Sequence, residues 1–442
     1  MSRFDLILSE GRCYTPAGLT DADVGVRDGR IAELGDLSSA DAAEKVNCSG
    51  LTILPGVIDT QVHFREPGME HKEDLETGTR GAVLGGGTTV FEMPNTNPPT
   101  TTAEALQDKL DRASGRAWCD YAFFIGAAED NLDELATLEM LPGCAGVKLF
   151  MGSSTGSLLV AETEAVRKVL QNGRRRMSVH SEDEARMREC WELVEGGADV
   201  DMHPVWRDAE AAVSNTKRLI DLASETRRRV HVLHITTGEE IELLADWMEF
   251  ATVEVTPQHL PFAAPECYER LGSRVQMNPP IRIERHREAL WRGIEQGVVD
   301  VLGSDHAPHT LEEKARPYPQ SPSGMTGVQT LLPVMLDHVA AGRLSLTRLV
   351  DLTSAGPARI FNIARKGRLA VGFDADFAVV DADAEWTITD DWIASRAAWT
   401  PYHDVTVQGR PIHTIVGGHF AVRDGVLADP GLGRPVRFLE TL

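Results

Sequence analysis

The sequence predicts an α/β protein: a (β/α)8 TIM-type barrel carrying a small β-sandwich domain formed by the N- and C-terminal segments. Three observations predict it. The middle of the chain alternates short apolar runs with helical stretches, and eight such runs can be counted. Both ends instead carry short alternating strands punctuated by Asp-Gly and Ser-Gly. Finally, polar residues gather at the C-terminal ends of the apolar runs, the face on which barrel chemistry sits. A chain of 442 residues suits one barrel plus a small second unit.

From the N-terminus, FDLILSEG, ADVGVRDGRIAELG and KVNCSGLTILPG show period-two alternation broken by turn residues. From about Val57 the texture becomes strand, loop, helix, repeated. The strand candidates are GVIDTQVHF, TTVFEMPN, DYAFFIGA, GVKLFM, RMSVHSE, RVHVLHIT, ATVEVTPQHL and VDVLGSDHAPH, with helical stretches such as 103–113, 161–172, 207–226 and 284–296 between them. Alternating β and α implies a parallel sheet, and eight units imply a closed barrel. After about Lys366 the β texture returns in KGRLAVGFDADFAVVDAD and TPYHDVTVQGRPIHTIVGGHFAVRDG. The economical division is a composite β domain of residues 1–55 and 366–442 with the barrel, 56–365, inserted. The Pro-rich stretch RPYPQSPSG, 316–324, reads as an active-site loop.

Composition narrows the partners. Apolar residues make up 42% and charged residues 25%, ordinary for a globular protein. A formal net charge of -23 argues against nucleic acid, because phosphate binding needs a basic surface. An anionic small-molecule substrate would need local cations, such as Arg65 or a metal. The six cysteines show no CxxC and no regular spacing, which fits reduced thiols in a cytoplasmic protein. The N-terminus lacks a signal-peptide core. No apolar run approaches the roughly 20 residues that span a bilayer, so no membrane association is expected.

The strand ends carry the chemistry. In PGVIDTQVHFREPG, Gln61 and His63 share one side of a strand by its period of two, and Arg65 follows. The second strand ends in Asn95, the fourth contains Lys148, the fifth and sixth end in His180 and His234, and the eighth leads to Asp305, His306 and His309. Any one histidine is more often a packed core or surface residue than a ligand. Lys148 is different, because burying an ammonium without a partner is costly. Burial depresses its pKa, and a neutral amine can take up carbon dioxide to give an anionic carbamate able to bridge two cations. Imidazoles and an aspartate complete a set suited to zinc. Asp305 is placed to take a proton from water and pass it to a leaving nitrogen. The set points to metal-dependent hydrolysis of an amide, most plausibly a cyclic one.

At these residues the chain resembles the amidohydrolase superfamily and, within it, the class I dihydroorotases. The segments carrying the resemblance span nearly the whole chain: DTQVHFREPG, EMPNTNPPT, GVKLFMG, VHSED, HVLHITT, VEVTPQHL, MNPPIR, GSDHAPHTLEEK and KGRLAVGFDADFAVVD. The resemblance implies that His63 and Asp305 bind a buried metal, that carboxylated Lys148 bridges, and that His180 and His234 bind a second. It implies that Arg65 and Asn95 hold a substrate carboxylate with His309 beside them, and that Asn278 and the loop around Pro322 and Gly324 contact the ring. It departs at Gln61, where the family usually has histidine, and at Gln258, Ser323 and Gln329. An amide oxygen is a weak ligand, so one or two zinc ions are expected, with the buried position the weaker. The implied activity interconverts N-carbamoyl-L-aspartate and L-dihydroorotate in pyrimidine synthesis. The alternatives are a hydantoinase, dihydropyrimidinase or allantoinase, or a weakened scaffold associating with aspartate transcarbamoylase. Family members are often dimers, so a homodimer is a further expectation.

Overall fold

The computed structural model describes residues 3–154 and 156–442. Its centre is a parallel sheet of eight strands: β1 (Val57–Val62), β2 (Gly87–Glu92), β3 (Asp120–Gly126), β4 (Cys144–Phe150), β5 (Met177–His180), β6 (Val230–Val232), β7 (Ala251–Val255) and β8 (Val301–Leu302). Spatial order follows chain order, and every neighbouring pair is parallel. A bridge between Val62 and His306 closes the ring, and there the His63 amide donates to the His306 carbonyl at 2.7 Å. β1, β2 and β4 are buried along their whole length, as a sheet covered on both faces requires.

The main helices of the surrounding layer are α1 (Leu75–Leu84), α2 (Ala103–Ala113), α3 (Thr163–Gln171), α4 (Ala209–Thr226), α5 (Gly238–Ala245), α6 (Glu284–Glu295) and α7 (Leu331–Ala340). Four of them, α1, α2, α4 and α5, start at a side-chain cap. Asp74 and Thr77 form a capping box on α1, Thr237 and Glu240 another on α5, and Asp208 caps α4 through the Ala211 amide. α3 and α4 begin two residues later than the apolar pattern suggests because Glu162 and Asp208 are extended, and of the two only Asp208 caps its helix with its side chain.

Several expected strands are shorter than read, RVHVLHIT among them, which is strand only over Val230–Val232. RMSVHSE is strand only over Met177–His180. ATVEVTPQHL stops at Val255, because Pro257 has no amide to donate and opens a 3-10 turn over Pro257–His259. VDVLGSDHAPH is strand only over Val301–Leu302. Beyond the ends of β1, β6 and β8 the backbone turns sharply: Arg65, His234 and Asp305 have φ of 65°, 39° and 44°. The left-handed region is sparsely used by such residues, and three of them at one end of one barrel mark a site held in place by its surroundings.

Two further sheets stand apart from the barrel. One has four strands, Phe4–Ser9, Asp23–Arg27, Arg30–Gly35 and Ala42–Asn47. The other has seven and mixes both ends of the chain: Thr52–Pro55 pairs antiparallel with Phe377–Ile388, which pairs in turn with Val405–Val416. Leu6, Val24 and Ile31 of the first sheet share a core with Ile53, Phe377 and Ile415 of the second. The last residues go elsewhere. Val436 and Phe438 pack with Phe91, Phe124 and Phe361 inside the barrel. All six cysteines are free. Among the described residues no helix is long and apolar enough to cross a membrane.

Candidate active site

The residues singled out by sequence converge. Gln61, His63, Arg65, Asn95, Lys148, His180, His234, Asn278 and Asp305 line one pocket enclosing about 350 Å³ of open space. Phe150, Ser154, Ala307, Ser323 and Gly324 complete its wall. His309 does not reach the pocket surface; it stands behind Arg65, with Nε2 3.3 Å from the guanidinium and 3.0 Å from the Ser323 carbonyl. Its Nδ1 faces Lys72 Nζ at 3.1 Å. Burial, followed by the nearby Arg65 and Lys72 charges, pushes the imidazole down to about 3, against the pull of Glu313. His306 has a packing role instead: Nε2 is 3.2 Å from Glu73, and Nδ1 accepts the Gly327 amide at 3.0 Å.

The donor atoms come in two pairs. His180 Nδ1 and His234 Nε2 are 3.0 Å apart. His63 Nε2 and Asp305 Oδ1 are 3.2 Å apart, and the Gln61 amide donates to the same oxygen at 3.1 Å. Two ligands about 2.0–2.1 Å from one zinc at a tetrahedral angle stand roughly 3.3 Å apart, so both spacings suit a shared ion. Among the described residues no three His, Cys, Asp or Glu side chains meet at one point. Each pair therefore needs a donor of another kind, and Lys148 and Gln61 are the side chains present.

The protonation pattern agrees. His63 Nδ1 is 2.7 Å from Asn95 Oδ1, which can only accept, so the proton sits on Nδ1. The Nε2 lone pair then faces the Asp305 carboxylate, an arrangement a cation relieves. His234 Nδ1 and Gln61 Oε1 are buried without a hydrogen-bond partner. Behind His180 stands Glu182, whose Oε2 is 3.0 Å from Nε2, outside good hydrogen-bond alignment. Arg207 binds both oxygens of Glu182, and its guanidinium leads the forces that hold that carboxyl well below the usual range against burial. A carboxylate behind a ligand imidazole fixes the ring and raises its basicity.

Lys148 is 1% exposed, with Nζ 4.5 Å from the centre of the Phe150 ring. Burial brings its pKa down to about 7, opposed by Asp305 and Glu254, so a neutral amine is within reach at physiological pH. Glu254 and Asp59 lie in the same barrel interior, pushed up by burial to about 8 and about 7. Thr60 donates to Glu254 at 3.2 Å, and the Ser304 amide to Asp59 at 3.0 Å. The sequence reading passed over both. A charge inside an apolar strand was the signal used for Lys148, and it applies equally to VEV and VID. Glu182 was also legible, two residues after His180 and therefore on its side of the chain.

Arg65 is 1% exposed. Its Nε donates to the Pro308 carbonyl at 3.2 Å, and it has no ion-pair partner among the described residues. The neighbouring Glu66 binds Arg116 at 2.9 Å rather than Arg65. Asn278 is held by His203, whose Nε2 is 3.1 Å from Oδ1. Of the other departures from the family pattern, Gln258 binds the Ser304 carbonyl at 2.8 Å and Gln329 the Trp392 carbonyl at 2.7 Å. Neither lines the pocket.

The model of the amidohydrolase family matches residues 52–421. A dihydroorotase of Methanosarcina acetivorans is 34% identical over 99% of this chain and 95% of its own length. One from Pyrococcus abyssi is 35% identical over 94% of each, and an L-hydantoinase of Paenarthrobacter aurescens is 31% identical over 98% of this chain and 97% of its own length. Among solved structures, an L-hydantoinase (dihydropyrimidinase) from Arthrobacter aurescens superposes with a TM-score of 0.93 at 30% identity, covering 98% of this chain and 99% of that one.

Proposed function

The chain belongs to the amidohydrolase family, and from that premise we propose that it is a dihydroorotase, interconverting N-carbamoyl-L-aspartate and L-dihydroorotate in pyrimidine synthesis. The observation that carries this reading is Arg65. Arg65 is a buried guanidinium in the pocket wall with no ion-pair partner among the described residues, Asp305 being engaged with His63 and Gln61, and its planar fork matches a carboxylate. The rings of hydantoinase and dihydropyrimidinase substrates offer none, although a hydantoinase is the structural neighbour described above.

The family is metal-dependent. The donors suit zinc: His180, His234 and Lys148, once carboxylated, would hold it on one side, and His63, Asp305 and the weaker Gln61 on the other. Zinc bound there would act as a Lewis acid, polarising the ring carbonyl and lowering the pKa of water. The chain's own groups do the rest. Arg65 and Asn95 hold the substrate carboxylate, and His309 and the Pro308 carbonyl fix the guanidinium. Asn278 and the 322–324 loop face the ring. Asp305 takes the proton of the attacking water and returns it to the ring nitrogen as the C–N bond opens; in the reverse direction it removes that proton. Phe150 keeps the lysine stem dry, favouring the neutral amine that reacts with carbon dioxide, forming an N–C bond and releasing a proton.

The far-ultraviolet absorbance of L-dihydroorotate, which falls as the ring opens, tests the reading. Turnover of this substrate with little activity on hydantoin is expected. The reverse preference would transfer the assignment to the hydantoinases, and activity on neither would favour the scaffold alternative.

A further inference from the structure

Asn278, Ser323 and Gly324 reach the pocket on two loops, 276–278 and 321–324. These loops are tied to each other: the Gly324 amide donates to the Gln276 carbonyl at 2.8 Å, and the Gln276 side chain donates to Ser321 O at 2.9 Å and Ser323 Oγ at 3.1 Å. Gly324 has φ of +135°, and a Cβ there would lie 2.3 Å from the Ala307 carbonyl, so this wall has little freedom to shift.

The tie is completed by Lys314, which ends the short helix Leu311–Lys314 beyond β8. It is 2% exposed. Its Nζ donates to Gln276 O at 3.2 Å, Pro322 O at 2.8 Å and Gly324 O at 2.9 Å. An ammonium has three N–H groups, all used by three carbonyls; a neutral amine would turn its lone pair on one of them. No carboxylate pairs with Lys314 among the described residues. The Trp399 ring lies 5.9 Å away, and the charged group acting on it is Arg65. Burial and Arg65 both push its pKa down, whereas three carbonyl oxygens at hydrogen-bond distance favour the charged form.

We propose that Lys314 is a specificity-determining positioning residue: a buried, unneutralised cation that clamps the two substrate loops and, with Arg65, makes the pocket selective for an anionic ring over an uncharged one. Two like charges in a dry wall raise each other's cost. A bound carboxylate relieves both, whereas a ring without one leaves the cost in place. The lysine acts through the field it adds and through the loop it holds, not by touching substrate. This inference deepens the dihydroorotate reading and rests on it.

The test compares two competitive inhibitors of L-dihydroorotate turnover: orotate, which keeps the ring carboxylate, and uracil, which lacks it. In Lys314→Met and Lys314→Gln the orotate inhibition constant is expected to rise about tenfold or more, the size of a lost charge interaction, and that of uracil by a clearly smaller factor, from the loosened loops alone. Equal weakening of both would show a merely structural clamp, and no change in either would show no role; each result overturns the proposal. If the variants do not fold, the 15N resonance of the Lys314 amino group in the unaltered protein decides, an ammonium signal being expected and a neutral amine overturning the proposal. A wild-type protein that does not turn over dihydroorotate would remove the substrate reading and this inference together. Turnover with unaltered selectivity in the variants would remove only the inference.

Discussion

Asp305 carries two demands at once, as partner of His63 and as proton shuttle. Asp305→Ala is expected to lower kcat by about three orders of magnitude, the range of a lost general base, with an unaltered circular-dichroism spectrum. Substantial remaining turnover would mean another base. Arg65→Lys keeps the charge but loses the fork, so KM for dihydroorotate should rise about tenfold; an unchanged KM would remove the carboxylate assignment. Gln61 is the residue whose consequence is most specific to this chain. Its amide donates to Asp305, leaving its oxygen unpartnered. Gln61→His replaces a weak ligand by an imidazole, and zinc per chain at limiting metal is expected to rise from about one toward two. Equal metal content in both forms would show that Gln61 already suffices. At this scale the sequence was most legible where burial makes a residue type costly, as at Lys148. It was least legible for His309, where the difference between touching the pocket and backing Arg65 is one side-chain layer.

Among the elements, the strands could be read but their ends could not. β5 ends at His180 itself, and β8 stops before Asp305, where the backbone turns with φ of 44°; a period-two pattern carries no record of either end. The four helices read from sequence were legible to within two residues at their starts; Thr102 and Asp208 cap two of them, and Glu162 and Ile283 make no side-chain cap. The C-terminal tail was not, because one aromatic in FLETL has no periodicity to place it. Phe438 nonetheless lies buried against Phe91, Phe361 and the Arg175 guanidinium. Phe438→Ala is expected to cost about 3–5 kcal/mol, as large core truncations do, read by urea denaturation. A loss below about 1 kcal/mol, the level of a surface change, would show that the tail does not support the barrel.

For the molecule as a whole, the dependence on pH follows from what the fold buries. Burial is the first cause lowering His203, His231 and His309 to about 3 and His259 to about 4. Below about 6.5 the unfolded chain binds protons that these folded imidazoles refuse, so stability is lost as pH falls from there toward 3–4. Glu182, held low, works in the same direction at lower pH. Asp59, Glu92 and Glu254, raised by burial to about 7, about 7 and about 8, oppose the trend because they keep protons the unfolded chain releases. The imidazoles are more numerous, so the urea midpoint is expected to fall between pH 7 and pH 5; a rise would mean that the carboxyls dominate. The same barrel opens on a pocket where paired donors, a lysine lowered to about 7 and a guanidinium with no ion-pair partner among the described residues meet. The most direct test follows L-dihydroorotate absorbance with chelator-treated protein before and after zinc and bicarbonate are restored. The account predicts no ring opening before and turnover after; full activity in the stripped protein, or none in the restored one, would contradict it.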